Sequence, residues 1–332
     1  MKNSKRPEIS VIMTAYNETR FISESIDSVL NQSFRDFELI IINDRSTDDT
    51  YEKIKTYNDK RIVLLNNEKN LGRARSRNRG LKIARGKYIA ILDAGDIALR
   101  YRLEKQYTYL ESNQEIFLLG SGAYNIDTKS RIISSFHPIL STDNIPKALE
   151  KENCIYHITV MFRNEGFFYR EKFLYAQDYD LYLRIILANK KICNLKEILG
   201  SYRIDCNSVS HNSRGRQLLF AQKSREMYFQ KKLFGNDDYE EFDPESIMRI
   251  NEYSSNRKFL EGEISLSFQF NDFQRLKMLI SKYYEIGIVI DKILFYYILS
   301  FCPEFFIVRI KRTIYKMYYT FNNITTGFKA RF

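Results

Sequence analysis

The chain has 332 residues, and its 44% hydrophobic and 28% charged residues exclude wholesale disorder and low-complexity repeats. Its 52 Lys and Arg residues against 41 Asp and Glu residues give a net charge of +11, which favours an anionic partner such as a phosphate or an acidic membrane. Four scattered cysteines without a CxxC spacing argue against disulfides and a zinc site, and the start MKNSKRPEIS has no apolar signal core, so we expect a cytoplasmic protein.

Four short apolar runs alternate with helical patterns through the first third of the chain. They lie at Ile9–Met13, Phe37–Ile42, Ile62–Leu65 and Tyr88–Leu92. Continuous apolar strands separated by helices are typical of βαβ units, so these segments predict a mainly parallel sheet with helices on both faces. The loops that follow the four strands should then meet at one edge of the sheet, where α/β proteins bind their ligands.

The rest of the chain is less regular and becomes helical towards its end. The middle predicts a helix from Asp178 to about Ala188 and three further strands, at 117–124, 131–136 and 158–162. Beyond residue 215 the pattern is almost wholly helical. The apolar segment Ile286–Cys302 is interrupted by two charged residues and is too short for a transmembrane helix of about 20 residues.

Two of the strand-end loops carry groups that suit a nucleotide. Thr14–Glu18 offers an aromatic ring, backbone amides and a carboxylate that could hold a flat base; in the alternative, Asn17 or Thr19 simply caps the next helix. Asp44 follows the second strand with no local capping duty, so its carboxylate could accept a hydrogen bond from a base or a ribose. The chain has neither GxGxxG nor GxxxxGKS/T, the signals of dinucleotide and P-loop sites.

The loop after the third strand is strongly basic. Four arginines lie within seven residues at the start of a helix, where they could neutralise a diphosphate. Arg77 is the preferred candidate, because it shares a helix face with Ala74, Leu81 and Ala84. The other arginines point around the helix, so several of them should be solvated.

Acidic residues end the fourth strand and begin the helix near residue 178. Asp93 and Asp96 offer oxygen ligands that suit Mg²⁺ or Mn²⁺. In the alternative, Asp96 caps a helix that begins near Leu99, and Asp93 bonds to the backbone. Asp178 is either a helix N-cap or a general base.

Taken together, these segments resemble the sequence blocks of family 2 glycosyltransferases. The family's opening Pro-x-Tyr-Asn and its Asp-Asp-Gly-Ser-x-Asp are similar to ISVIMTAYN and INDRSTDD, and its Asn-x-Gly-x-Ala-x-x-Arg-Asn is similar to NLGRARSRN. The acid loop before Arg-Leu-Glu-Lys-Gln resembles LDAGDIALRYRLEKQ, and the acceptor-side blocks resemble HITVMFR, AQDYDLYLR and GSYR. The similarity spans about residues 8 to 210, and the order and spacing of the blocks make it specific.

The resemblance implies a GT-A nucleotide-diphospho-sugar transferase fold, an α/β architecture with a helical C-terminal region. It implies a GT-A domain over residues 1–215, with a nucleotide-binding half at 1–112 and an acceptor half at 113–215, followed by a helical region at 216–332. The implied activity is that of an inverting, bacterial surface-polysaccharide type of transferase. It would move a sugar from a nucleotide donor, UDP-linked in our prediction, to a glycan or lipid-linked glycan acceptor.

The resemblance also assigns roles to single residues. Asp93 would belong to the Asp-x-Asp motif that works with Mn²⁺ or Mg²⁺ and the sugar nucleotide, and Asp178 would be the base that deprotonates the acceptor hydroxyl. Four further residues would hold the base and ribose of the nucleotide: Ala15, Tyr16, Glu18 and Asp44.

One departure from the family pattern bears directly on catalysis. The second acid of the motif, the one most directly on the metal, is replaced by Gly95, which offers no ligand side chain. Metal binding would then rely on Asp93 and Asp96, with Asp205 as a further candidate. The alternative function is a binding or scaffold protein that keeps the glycosyltransferase fold and has lost catalysis.

The end of the chain allows two interpretations. After Glu304 the chain has six basic residues interleaved with aromatic ones and no acidic residue. Residues 286–332 could therefore dock on an anionic inner membrane face, with the aromatic side chains buried and the basic ones at the headgroups. In the alternative, they form a packing or dimerisation helix pair, which would make the protein a homo-oligomer. Nucleic-acid binding is not expected, because no recognised module is present.

Overall fold

The computed structural model describes four segments of the chain: 6–205, 214–251, 256–269 and 272–285. They fall into two units, the first made of 6–205 with 217–247 and the second of 214–216 with the described residues from 248 onwards. The segment 286–332, predicted to bind a membrane or another copy, lies outside the described residues, as do Cys206 and Cys302. The predicted division of the transferase domain near residue 112 stays a prediction.

Nine strands of the described chain form one mixed sheet in the order β3-β2-β1-β4-β8-β6-β9-β5, with β7 paired to β6. Strands β1 to β4 are parallel to one another, whereas β8 runs antiparallel to both β4 and β6. The strands are β1 Ile9–Ala15, β2 Phe37–Asn43, β3 Ile62–Asn66, β4 Tyr88–Ile91, β5 Ile97–Ala98, β6 Ile116–Ile126, β7 Ile132–Phe136, β8 Met161–Arg163 and β9 Lys191–Arg203.

Helices of the first unit cover both faces of this sheet. The helices of the described segments are α1 Ile22–Leu30, α2 Thr50–Lys55, α3 Arg73–Ile83, α4 Arg102–Ser112, α5 Asn144–Leu149, α6 Gln177–Leu187, α7 Arg214–Phe234, α8 Pro244–Met248, α9 Arg257–Gln269 and α10 Phe273–Glu285. None of them is both long enough and apolar enough to cross a membrane.

Strand β1 shows why the sheet is covered on both faces. Its side chains alternate, so Ile9, Val11 and Met13 pack with α1, α2 and α4, whereas Ile12 packs in a second core with α3 and α6. Both sets are almost fully buried, which explains the continuous apolar run in the sequence. The four predicted βαβ strands and the two-sided cover are therefore confirmed.

The middle of the chain differs from the sequence prediction in three places, the first of which is the unpredicted helix α5. Strand β9 was not predicted; charged residues interrupt its apolar pattern, and register shifts along its pairing with β6 interrupt the alternation of its faces. The predicted strand at 158–162 is only partly right, because His157–Thr159 form a 3₁₀ turn and β8 begins at Met161. The Thr159 carbonyl accepts a hydrogen bond from the Gln106 side chain at 2.7 Å, which takes it out of a strand ladder.

The second unit is helical in its described part, as predicted for the chain beyond residue 215. Apolar residues on α9 and α10 form a small core of their own, which includes Leu260, Ile264, Leu279 and Ile280. Glu263 lies buried beside this core and accepts a hydrogen bond from Arg275 Nη2 at 2.7 Å. This helix pair therefore has the apolar contacts and the charge pairing that a packed unit requires.

Gly86, just before β4, offers a test of this packing. A Cβ atom there would lie 2.4 Å from the backbone nitrogen of Ser10, so Gly86→Ala has to displace β1 and should lower the free energy of unfolding by about 3 kcal/mol. At Gly166 a Cβ meets open space, so Gly166→Ala should cost only the backbone strain of its φ of 82°, about 1 kcal/mol. Urea unfolding measures both losses, and equal losses would contradict the close approach at Gly86.

Candidate active site

The loops at the carboxyl ends of the first four strands meet at one edge of the sheet, as the sequence predicted. Ala15 on β1 pairs in register with Asn43 on β2, which pairs with Asn66 on β3, so three strands end at the same level. The loop after β4 joins them, because the backbone N–H of Ala94 donates to the Thr14 carbonyl at 3.3 Å. Most of the predicted nucleotide and acid residues lie in these loops.

The loop after β1 is fastened to the loop after β2. The Asn17 side chain accepts a hydrogen bond from Thr47 N at 2.8 Å, and Glu18 N donates to Thr50 Oγ1 at 2.7 Å. Helix α1 starts at Ile22 without a side-chain cap, so the alternative that Asn17 or Thr19 caps it is wrong. The fastened loops leave the Tyr16 ring 42% exposed at the edge of the sheet, whereas Ala15 is buried.

Asp44 has a local structural duty that the sequence analysis did not anticipate. Its carboxylate is 4% exposed and accepts hydrogen bonds from Asn67 Nδ2 at 2.7 Å, Leu71 N at 2.8 Å and Gly72 N at 2.9 Å. It therefore ties the end of β2 to the loop that leads into α3. A carboxylate has about four acceptor positions, so one remains for a ligand.

The side chain of Arg77 contacts the loop after β4, which is called the acid loop here and comprises residues 93–96. Its Nη2 atom lies 2.5 Å from Asp93 Oδ1, and the Arg77 side chain is only 2% exposed while that of Asp93 is 29% exposed. Burial favours the neutral form of Asp93, but the positive charge of Arg77, with a further contribution from Arg73, outweighs it and holds the pKa of Asp93 at about 2. Arg77 and Asp93 thus form a charged pair, and the structure places Arg77 against an acid rather than on the surface.

Arg73, at the first position of α3, is a site residue that the sequence analysis passed over. Its charge lowers the pKa values of both Asp93 and Glu18. Arg73 and Arg77 are four residues apart and so share one face of the helix. Of the other arginines on α3, Arg75 is exposed and pairs with Glu171 at 3.1 Å.

Asp96 points inward. Its carboxylate is 5% exposed and accepts a hydrogen bond from Arg203 N at 2.8 Å, while Arg203 Nε donates to the Gly95 carbonyl at 2.8 Å. Burial and the nearby Asp93 raise the pKa of Asp96 well above its usual value. Helix α4 begins at Arg102 with no side-chain cap, so the alternative in which Asp96 caps this helix is wrong.

Gly95 and Glu18 face each other across the acid loop. Gly95 has φ +101°, and a Cβ atom placed on it would lie 3.4 Å from Glu18 Oε2. Burial raises the pKa of Glu18 to about 7; Arg73 opposes this rise, whereas Asp205 and Asp93 add to it. The carboxylate of Glu18 therefore titrates near neutral pH, close to the position that the missing motif acid would occupy.

The residues present do not fit a divalent ion as the family pattern would have it. Asp93 is paired with Arg77, Asp96 points inward, and Gly95 has no side chain to offer. No group of three His, Cys, Asp or Glu side chains in the described segments is arranged to hold a metal ion.

Asp178 lies in the first turn of α6. The residue that caps this helix is Ala176, at φ 52°, so the alternative in which Asp178 is the N-cap is wrong. Asp178 Oδ2 accepts a hydrogen bond from Asn153 Nδ2 at 3.0 Å, and its charge acts on Arg77. The neighbouring Asp180 is instead buried between two arginines, which leaves Asp178 as the acid of this turn that is available for chemistry.

A half-buried histidine, also missed by the sequence analysis as a site residue, lies between Tyr169 and Tyr182. His157 Nδ1 lies 2.6 Å from the Tyr182 hydroxyl, and Nε2 lies 2.9 Å from the Tyr169 hydroxyl. Burial, with the charge of Arg77, lowers the pKa of His157 to about 4, so the ring is neutral and joins one donor to one acceptor. Tyr182 is one helical turn after Asp178, and the Tyr169 ring lies 5.4 Å from the Arg77 guanidinium carbon.

The pKa of Glu18 yields a prediction on stability. A carboxyl whose pKa rises from 4.5 to about 7 on folding stabilises the fold below its unfolded pKa, and this contribution is lost as the pH rises through 7. Between about pH 5 and about pH 8 the free energy of unfolding should therefore fall by about 2 kcal/mol more in the wild type than in Glu18→Gln.

Urea unfolding across this pH range measures the difference. Glu52→Gln is the matched control, because the Glu52 side chain is 66% exposed on α2. This control should keep the wild-type slope. A Glu18→Gln variant with the same pH slope as the wild type would contradict the assignment.

Comparison with known proteins extends this picture. Residues 10–176 match the family model described as Glycosyl transferase family 2. An uncharacterised glycosyltransferase of Methanocaldococcus jannaschii is 41% identical over 244 residues, which cover 70% of this chain and 84% of the relative. The Escherichia coli protein WfgD, named as a UDP-Glc:alpha-D-GlcNAc-diphosphoundecaprenol beta-1,3-glucosyltransferase, is 35% identical over 207 residues, 61% of this chain and 80% of that protein.

Solved structures show the same architecture. The crystal structure of residues 1–349 of Staphylococcus aureus TarS in complex with UDP superposes with a TM-score of 0.54 over 84% of this chain and 81% of that chain, at 17% identity. The predicted GT-A fold with a helical C-terminal region is confirmed. Because the family model matches half of the sequence and the relatives match over most of their own length, the chain belongs to glycosyltransferase family 2 and is a glycosyltransferase.

Proposed function

We propose that the protein transfers a sugar from a UDP-linked donor to a hydroxyl of a glycan or lipid-linked glycan acceptor, with inversion at the anomeric carbon and with Asp178 as the general base. The observation that carries the proposal is the position of Asp178. Asp178 is the half-buried acid in the first turn of α6. Its charge acts on Arg77, which is paired with Asp93 on the donor side of the site. A base on one side and a charged donor loop on the other is the arrangement that sugar transfer needs.

The reaction then follows from the residues. Asp178 takes the proton of the acceptor hydroxyl, and the acceptor oxygen forms a bond to the anomeric carbon. The bond between that carbon and the diphosphate oxygen breaks, and its electron pair leaves with UDP. Because the entering and leaving oxygens lie on opposite faces of the sugar, the configuration inverts.

The donor side agrees with a nucleotide. The exposed ring of Tyr16 is free to stack on a base, and the remaining acceptor position of Asp44 and the carboxyl of Glu18 lie in adjoining loops for a base or ribose. Crystal structures of TarS have been solved in complex with UDP and with UDP-GlcNAc, which makes a uridine nucleotide the first donor to test. Ala15 would contribute through its backbone, because its side chain is buried.

The acceptor side of the proposal comes from the relatives. WfgD and WfaP of Escherichia coli, 35% and 32% identical, are both named for transfer of glucose to a GlcNAc-diphosphoundecaprenol. A lipid-diphosphate acceptor is anionic, which suits a chain with a net charge of +11. The cytoplasmic location, the docking of residues 286–332 on an anionic membrane face and a homo-oligomer stay predictions.

Asp178→Asn tests the base. Loss of the proton acceptor should lower kcat at least about 100-fold with little change in the KM for the donor. Release of UDP from UDP-glucose in the presence of a GlcNAc-diphosphate lipid measures turnover, and the anomeric configuration of the product tests inversion. Asp59→Asn is the matched control, since Asp59 pairs with Arg61 at the opposite end of the parallel strands.

Two results would contradict the proposal. Turnover of Asp178→Asn at the wild-type rate would exclude this residue as the base. No turnover of any UDP-sugar by the wild type would favour the alternative suggested by Gly95, a protein that binds or scaffolds without catalysis.

A further inference from the structure

Helix α3 presents two arginines to the acid loop, and they carry an inference that rests on the proposed function. Arg73 and Arg77 share one face of the helix, and Arg77 Nη2 lies 2.5 Å from Asp93 Oδ1. Arg73 acts on Asp93 and on Glu18, the carboxylate beside Gly95. Arg77 therefore lies against the acid loop, and Arg73 lies one turn away on the same face of α3.

The guanidinium of Arg77 has unused donors. Its Nε and Nη1 atoms are buried and have no hydrogen-bond partner among the described residues, although the side chain is only 2% exposed. Buried donors without partners are rare in folded proteins, so such a group points to an acceptor that is supplied from outside the chain. A phosphate oxygen matches such a donor, because the N–H groups of arginine form strong, charge-assisted hydrogen bonds to phosphate.

The acid loop does not provide what a divalent ion needs. Mg²⁺ takes about six oxygen ligands in a strict octahedron. Asp93 gives one oxygen to Arg77, Asp96 accepts from Arg203 N, and Gly95 has no ligand atom in its side chain. A new acid at position 95 would in addition approach Glu18, because even its Cβ would lie 3.4 Å from Glu18 Oε2.

We propose that Arg73 and Arg77 neutralise the diphosphate of the nucleotide sugar in place of a divalent ion, so that donor binding is independent of metal. In the transfer step, the diphosphate oxygen takes the electron pair of the broken bond to the anomeric carbon, and the two guanidinium groups balance the charge that develops on it. Because the guanidinium groups balance its charge, the leaving diphosphate needs no proton. The proton of the acceptor hydroxyl stays on Asp178. An arginine stays charged at any physiological pH, so this neutralisation does not depend on pH.

Calorimetric titration of UDP into the full-length protein tests the proposal. In buffer with EDTA and in buffer with Mn²⁺, the wild-type Kd values should agree within about threefold. Arg73→Gln should weaken UDP binding at least about tenfold in both buffers. It should weaken UMP binding less, because UMP lacks the second phosphate. Arg75→Gln, on the same helix but exposed and paired with Glu171, is the matched control and should bind UDP as the wild type does.

The outcomes separate this inference from the proposed function. UDP binding that is lost in EDTA, or that Mn²⁺ tightens tenfold or more, would overturn the metal independence and leave the proposed function in place. An equal weakening in Arg73→Gln and Arg75→Gln would exclude a specific contact to Arg73. Absence of UDP binding in both buffers would overturn the proposed donor site and this inference together. The comparison of buffers uses the wild type alone, so it does not depend on the folding of any variant.

Discussion

The geometry of the site depends on one ion pair, between Arg77 of α3 and Asp93 of the acid loop. A buried charge is tolerated only beside its partner, so the loop after β4 has to lie over the helix that carries Arg77. The helix in turn comes close to the sheet through Gly80, where a Cβ atom would lie 2.8 Å from the Cδ1 atom of Ile42. Gly80 thus allows α3 to pack closely on the sheet, so that Arg77, on the preceding turn, contacts the acid loop.

A second anchor holds the same helix at its start. Asp44 accepts hydrogen bonds from the backbone N–H groups of Leu71 and Gly72, directly before α3. Two aspartates, from the ends of β2 and β4, therefore fix α3 just before its start and in its second turn. A substitution at Asp44 would release the loop into α3, so a loss of nucleotide binding in such a variant would not by itself show that Asp44 contacts the nucleotide. A substitution at an exposed residue of the site would separate a structural effect from an effect on nucleotide binding more clearly.

The sequence predicted those parts of the fold and site that depend on neighbours close along the chain. The apolar runs predicted β1 to β4 and the shared edge of their loops. The structure buries Arg77 with its apolar helix-face neighbours Ala74 and Leu81, whereas its role at a diphosphate stays a prediction. The duty of Asp44, the inward direction of Asp96 and the strand β9 were not predicted, because each depends on distant partners. The residue that fixes Asp96, Arg203, is 107 positions further along the chain. No local spacing contains that information.

The carboxyl groups at this edge of the sheet differ in protonation state, and the difference comes from their burial and partners rather than from the residue type. Asp93 is held ionised by Arg77, whereas the burial of Asp96 without a cation of comparable strength favours its neutral form. Glu18 lies between these limits, with a pKa of about 7. The acid loop therefore carries less negative charge at neutral pH than its acids suggest, while Arg73 and Arg77 keep their full charge. This reduced negative charge follows from burial and pairing alone.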